Sequence, residues 1–168
     1  MLYREKIKRN IQDVMELDSK NIVESAGIAL VNNGRIFLIR PLFNNTIHNF
    51  GIPKGRVEID ETPECAAERE FEEETGISLC GRKKTWLCDV CYSIDKDTLK
   101  KVIVFMVIGD GTEKFIKSNI SSSGDPENVT GCYVDYNNAM DMITPYQKSI
   151  IEKVMAAESH SLANNLSL

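Results

Sequence analysis

No apolar run in this 168-residue chain approaches the roughly 20 residues that cross a bilayer, so no membrane-spanning helix is expected. The opening Met1-Leu2-Tyr3-Arg4-Glu5-Lys6 has no apolar core of signal-peptide length either. Positive charge is in short supply: 20 Lys and Arg stand against 25 Asp and Glu, for a formal net charge of −5. That balance argues against an unspecific grip on nucleic acid and leaves only a local basic patch to meet a phosphate-rich ligand. Cysteine is sparse and odd in number, with five residues at positions 65, 80, 88, 91 and 132. Cys88 and Cys91 make a C-x-x-C, but no second Cys/His pair stands at zinc-finger spacing. In a strand, moreover, positions three apart point to opposite faces. The cysteines read as reduced thiols, mostly buried because they sit inside apolar runs, and a cytoplasmic setting is expected. No internal repeat is present. What remains, 42% hydrophobic and 27% charged residues, has the balance of one globular domain.

Along the chain, Ile7, Ile11 and Val14 recur at helical spacing among charges, which predicts an amphipathic helical extension over residues 1–22. The apolar runs Ala26–Val31 and Ile36–Ile39 flank Asn32-Asn33-Gly34-Arg35, a strong turn signal, and so form a hairpin. Residues 41–49 lack periodicity and read as a surface loop. Thr62 as N-cap, Pro63 at the first helical position and Thr75-Gly76 as stop delimit a helix over about 63–75. Two further strands, Thr85–Ile94 and Leu99–Ile108, are separated by Asp95-Lys96-Asp97. A long loop over 109–128 leads to a strand at Val129–Val134. A last helix spans Pro145–Ala157, with Ile150, Ile151 and Val154 on one face. The expected organisation is therefore the extension, one domain over 23–158, and a disordered tail over 159–168.

The chemistry lies in the helix at 63–75. Glu70, Glu73 and Glu74 fall at i, i+3 and i+4, so three carboxylates share one face, where like charges destabilise a helix unless something positive joins them. Arg69 neutralises part of that charge. Hard divalent cations prefer such oxygens, and Mg²⁺ binds through a few carboxylates, retained waters and substrate phosphates. Glu64, Glu68 and Glu72 form a separate row that suits solvent.

Gly55, five residues, Glu61, seven residues, then Arg69-Glu70-Phe71-Glu72-Glu73-Glu74-Thr75-Gly76-Ile77 resembles the Nudix box of the Nudix hydrolases, with Phe71 where a branched aliphatic residue is usual. The resemblance implies an α/β fold, an α/β/α sandwich around a mixed sheet, with the box as a catalytic loop-helix-loop. It implies a Mg²⁺-dependent pyrophosphohydrolase, Mn²⁺ being able to substitute, that cleaves a phosphoanhydride of a nucleoside diphosphate linked to another moiety. Glu70, Glu73 and Glu74, with the backbone carbonyl of Lys54, would hold metal. Arg69 would orient the carboxylates, and Glu73 or Glu127 would serve as base. Gly55, Glu61 and Gly76 would shape the box.

Outside the box, Phe50-Gly51-Ile52-Pro53-Lys54-Gly55 is similar to the box entry of dinucleoside polyphosphate hydrolases and also of messenger-RNA decapping members, and Ile143-Thr144-Pro145-Tyr146-Gln147-Lys148 is similar to the C-terminal helix of the dinucleoside polyphosphate group. Tyr92 stands sixteen residues after Gly76, about where that group carries a tyrosine for the base. The substrate expected is thus a dinucleoside polyphosphate, contacted by Arg40, His48, Lys54, Tyr92 and Tyr146. The alternatives are an RNA 5′ end, a diphosphoinositol polyphosphate, or a Nudix-fold nucleotide-binding module without activity. RNA is a less favoured partner than a small nucleotide, and a homodimer is compatible with the sequence.

Overall fold

The computed structural model describes residues 21–41, 49–116 and 128–165, and the statements below concern these. The expected extension lies outside them except for Asn21 and Ile22, which already belong to a strand.

Six strands, β1 (Asn21–Asn32), β2 (Arg35–Pro41), β3 (Lys54–Arg56), β4 (Thr85–Ser93), β5 (Thr98–Ile108) and β6 (Asn128–Asp135), form one mixed sheet. Its order is β4-β5-β1-β2-β6, with β3 also paired to β1. Only β1 and β5 run parallel, from Asn21 opposite Thr98 to Val31 opposite Ile108. Strand β1 is central and covered on both faces, which is why Ala26–Val31 reads as a continuous apolar run rather than an alternation. The hairpin closes through Asn33 and Gly34, with φ of 47° and 77°. Two successive left-handed residues are what a type I′ turn needs, and Asn-Gly supplies them.

Helix α1 (Pro63–Thr75) lies on one face of the sheet. Its Thr62 side chain accepts the Cys65 amide, and Gly76, at φ 75°, returns its N–H to the Glu72 carbonyl. Ala66, Ala67 and Phe71 are buried against Ala26, Ile28, Leu30 and Phe37. Phe71 is fully buried and sits 6.1 Å from Phe37, ring centroid to centroid. The departure from a branched aliphatic residue is thus absorbed by an aromatic partner. The other face carries α2 (Tyr136–Met142), a 3₁₀ turn at Pro145–Gln147 and α3 (Lys148–Asn165). There Ala139, Ile143, Ile150, Ile151 and Val154 pack on Ala29, Val31, Ile36 and Leu38. No helix of the described residues is long and apolar enough to cross a membrane.

Three expectations are corrected. The last helix begins at Lys148, after the 3₁₀ turn, and runs to Asn165, past the expected end at Ala157. Ser159 Oγ and His160 Nδ1 bond the carbonyls one turn back, at 2.8 and 2.7 Å, and extend it. Only Cys88 of the five free cysteines is buried. Cys91 and Cys132 lie on the two edge strands, β4 and β6, where an apolar run does not ensure cover. Cys88 and Cys91 do differ in exposure, as opposite strand faces require.

Phe71→Ala is expected to cost about 3–5 kcal/mol by urea unfolding, because it removes a fully buried ring shared between α1 and β2. Phe71→Leu should cost less. Equal and small losses for both would show that this contact does not anchor the helix.

Candidate active site

The site is built where α1 passes beneath β3. Arg69 is its hub. Its Nε and Nη2 donate to the two carboxylate oxygens of Glu61, each at 2.9 Å, in a fork that fits a planar guanidinium. Its Nη1 donates to Glu70 Oε1 at 2.8 Å and to Glu73 Oε2 at 3.2 Å, and Nη2 also reaches the carbonyl of Arg56 at 3.0 Å. One cation therefore joins the loop before the helix, two carboxylates of the helix and the end of β3. The hydrogen bond from Arg69 holds the Glu61 carboxyl below its usual range, against the opposing effect of partial burial. Glu61, and after it Glu70, hold the guanidinium well above its already high value.

The second tie runs through the backbone. The amide of Lys54 donates to Glu74 Oε2 at 2.8 Å. Between these ties lies Gly55: a Cβ built on it would stand 1.9 Å from the Glu70 carboxyl carbon. Only glycine lets the Glu70 carboxylate rest on the chain at that point. Glu70 is mostly covered, with 16% side-chain exposure, whereas Glu73 is 51% exposed and open to water. Glu64 and Glu72 face solvent as their row suggested, but Glu68 pairs with the covered Lys84 at 2.8 Å.

Among the described residues, no three His, Cys, Asp or Glu side chains converge into a ready-made metal cage. The donor set fits a hard cation in another way. Glu61, Glu70 and Glu73 share one guanidinium, and Glu74 stands on the same turn as Glu70 and Glu73. That leaves negative charge on a shallow cradle floored by Gly55. Mg²⁺ suits such a site because it takes few protein carboxylates and completes its shell with water and phosphate.

Tyr92 of β4 and Tyr146 of the 3₁₀ turn, which the sequence put 54 positions apart (146 minus 92), stack face to face, centroids 4.0 Å apart and planes inclined 26°. Burial pushes the Tyr92 phenol well up. Opposite Tyr92 in the sheet stands Lys100. Half-burial lowers its pKa first, the charges of Lys54 and Arg56 lower it further, and Tyr146 and Glu74 oppose this. Lys100 thus belongs to the site. Its approach to Lys54 depends on β1 lying between β5 and β3, a pairing no local signal announces. Arg40 is exposed near the end of β2 and takes part in none of the bonds of the carboxylate cluster. His48 and Glu127 lie outside the described residues.

Residues 22–154 match the family model of the NUDIX domain. The chain belongs to the Nudix family. This Nudix chain is 25% identical over 159 residues to an RNA pyrophosphohydrolase of Hydrogenovibrio crunogenus, covering 86% of this chain and 93% of the relative. It is 30% identical over 131 residues to an RNA pyrophosphohydrolase of Mesorhizobium japonicum, covering 70% and 75%. The crystal structure of a C. elegans Ap4A hydrolase binary complex superposes with a TM-score of 0.68 at 18% identity, covering 82% of this chain and 98% of that one. At that identity the likeness establishes the fold, the expected mixed-sheet sandwich. The chain is a Nudix hydrolase, a pyrophosphohydrolase.

Gly55→Ala is expected to displace Glu70 and to lower kcat/KM on the order of 100-fold, with native circular dichroism retained. The Arg69–Glu61 pair also has a pH signature. A carboxyl whose pKa is depressed in the fold contributes stability that is present above its unfolded value and lost as pH falls through the folded one. The stability difference between wild type and Glu61→Gln should therefore be full at neutral pH and shrink as pH falls below the ordinary carboxyl value of 4.5. Urea unfolding across that range measures it, and a difference that widened in acid would contradict the pairing.

Proposed function

We propose that this Nudix hydrolase is a Mg²⁺-dependent pyrophosphohydrolase of nucleoside 5′-polyphosphates, and that the 5′ end of RNA is its leading substrate. The observation that carries the reaction is the Arg69 hub, which gathers Glu61 and two helix carboxylates beside the Gly55 cradle. Glu70, Glu73 and Glu74 would hold the metal, aided by the backbone at Lys54. When bound, the cation supplies charge neutralisation on the anhydride oxygens. The chain supplies the rest. Arg69 keeps Glu70 and Glu73 oriented so that no reorganisation is needed on binding. Glu73, the most open of the set, accepts the proton of the attacking water on a carboxylate oxygen. Glu127 is the second candidate base. Lys54 and Lys100 meet the polyphosphate chain, and the Tyr92–Tyr146 pair offers an aromatic wall for a base.

The RNA reading comes from the curated relatives, which cover most of this chain and bear that name. It reverses the preference drawn from the sequence. A dinucleoside polyphosphate is the second reading, favoured by the tyrosine pair at the position where that group of hydrolases carries a base-binding tyrosine. Both substrates present the same 5′-nucleoside polyphosphate to the box.

Hydrolysis of 5′-triphosphorylated RNA, diadenosine tetraphosphate, ADP-ribose and a diphosphoinositol polyphosphate, with and without Mg²⁺, tests the assignment. The expected order places RNA first and the dinucleoside second, with no turnover after chelation. Glu74→Gln should lose on the order of 100-fold in kcat. Full activity in that variant, or a clear preference for the inositol substrate, would sink the reading.

A further inference from the structure

Glu74 stands at the mouth of a cleft walled by Ile39, Phe50, Ile52 and the turn from Thr144 to Gln147. It is carried, with Glu73, on the last turn of α1, where the carbonyls of a helix find no partner further along it. Two bonds close that end. Gly76 donates its N–H to the Glu72 carbonyl at 2.8 Å, and the Ile116 amide, from the segment after β5, donates to the Thr75 carbonyl at 3.0 Å. Thr75 is fully buried, and its hydroxyl donates to the Phe71 carbonyl at 2.6 Å. The placement of the helix end is therefore shared with residues 109–116, a stretch without helix or strand.

What holds that stretch is a carboxylate that takes no part in the box. The Glu113 side chain is only 4% exposed. One of its oxygens accepts from Arg82 Nη1 and from the Asp110 amide at 3.0 Å, and the other from the Gly111 amide at 2.9 Å and the Tyr133 hydroxyl at 2.8 Å. Burial raises its pKa, but the backbone amides, Tyr133 and Arg82 outweigh this and hold the carboxyl below its usual value. A buried charge met on all sides is a rigid joint, and removing it leaves its donors unpaired. Tyr133 belongs to β6 and Arg82 to the segment that leaves α1, so the joint ties both to the stretch that caps the helix. Gly109 makes room for it: a Cβ there would stand 2.1 Å from the Tyr133 hydroxyl oxygen and 2.9 Å from Glu113 Oε1. Phe115, two residues on, packs on the core beneath α1.

We propose that Glu113 is a positioning residue for the reaction: by anchoring residues 109–116 it fixes the last turn of α1, and with it the Glu73 and Glu74 carboxylates. This rests on the reading of those carboxylates as the groups that hold the metal, and it adds a second control on them. Arg69 orients side chains from within the box. Glu113 sets the backbone from which they project.

Two substitutions in the full chain test it. Glu113→Gln keeps the shape and removes the charge. Tyr133→Phe removes one donor and keeps the ring that meets Phe37 edge-on, so it is the milder change and decides alone if Glu113→Gln does not fold. Val154→Ala, in the core of the opposite face, is the destabilised reference. Amide hydrogen exchange at Ile116 and across Glu73–Gly76 should quicken about tenfold in Glu113→Gln, less in Tyr133→Phe, and stay near wild type in Val154→Ala. Mn²⁺, titrated and followed by its paramagnetic resonance signal, should bind about tenfold more weakly to Glu113→Gln and about threefold more weakly to Tyr133→Phe. At saturating metal, KM for diadenosine tetraphosphate should stay within about twofold of wild type. Unchanged exchange at Ile116 and the last turn in the folded variants overturns the proposal. So does an equal loss of Mn²⁺ affinity in Val154→Ala. A wild type that binds no Mn²⁺ would sink the metal reading instead, and the exchange rates would still decide whether Glu113 holds the helix end.

Discussion

One guanidinium makes the box possible. Glutamates at i, i+3 and i+4 repel one another, and a helix carrying them pays in stability unless the charge is met. Arg69 meets it by bonding Glu61, Glu70, Glu73 and the Arg56 carbonyl at once. It thereby ties a loop and a helix to the end of a three-residue strand that is paired with β1. The same contact orients the carboxylates, so stability and chemistry share a single group. The opposite side of α1 is given over to Phe71 and two alanines, which hold the helix to the sheet without touching the reaction.

The parts of the fold that were legible in the sequence are those with local causes. Helix α1 runs from Pro63 to Thr75, as its cap, proline and glycine required. The first hairpin turns at Asn33-Gly34 because only a few residues tolerate two left-handed conformations in succession. What was not legible depends on contacts between distant segments. Strand β3 exists through its pairing with β1. Helix α2, rich in Asn and with no side-chain cap bond, is held by burial of Tyr136 and Ala139 rather than by propensity.

The site divides in the same way. The spacing of Gly55, Glu61, Arg69, Glu70, Glu73 and Glu74 was readable because it lies within one loop and one helix. Lys100 was missed as a member of the site because its neighbour Lys54 reaches it only across the sheet. Tyr92 and Tyr146 were each readable as candidates, but their stacking is a fact of tertiary structure. Family resemblance carried the reaction, while the order of substrates shifted once relatives covering most of the chain were known.

The cleft beside the box has walls from three stretches of chain, with Ile39 early, Phe50 and Ile52 next, and Thr144 to Gln147 near the end. A chain emerging during synthesis carries its acidic helix well ahead of the last wall, while the edge strand β6 precedes that wall by only a short stretch. Catalytic carboxylates and the cleft therefore mature at different times. The nascent protein holds its most acidic surface in place while the pocket beside it is still open on one side.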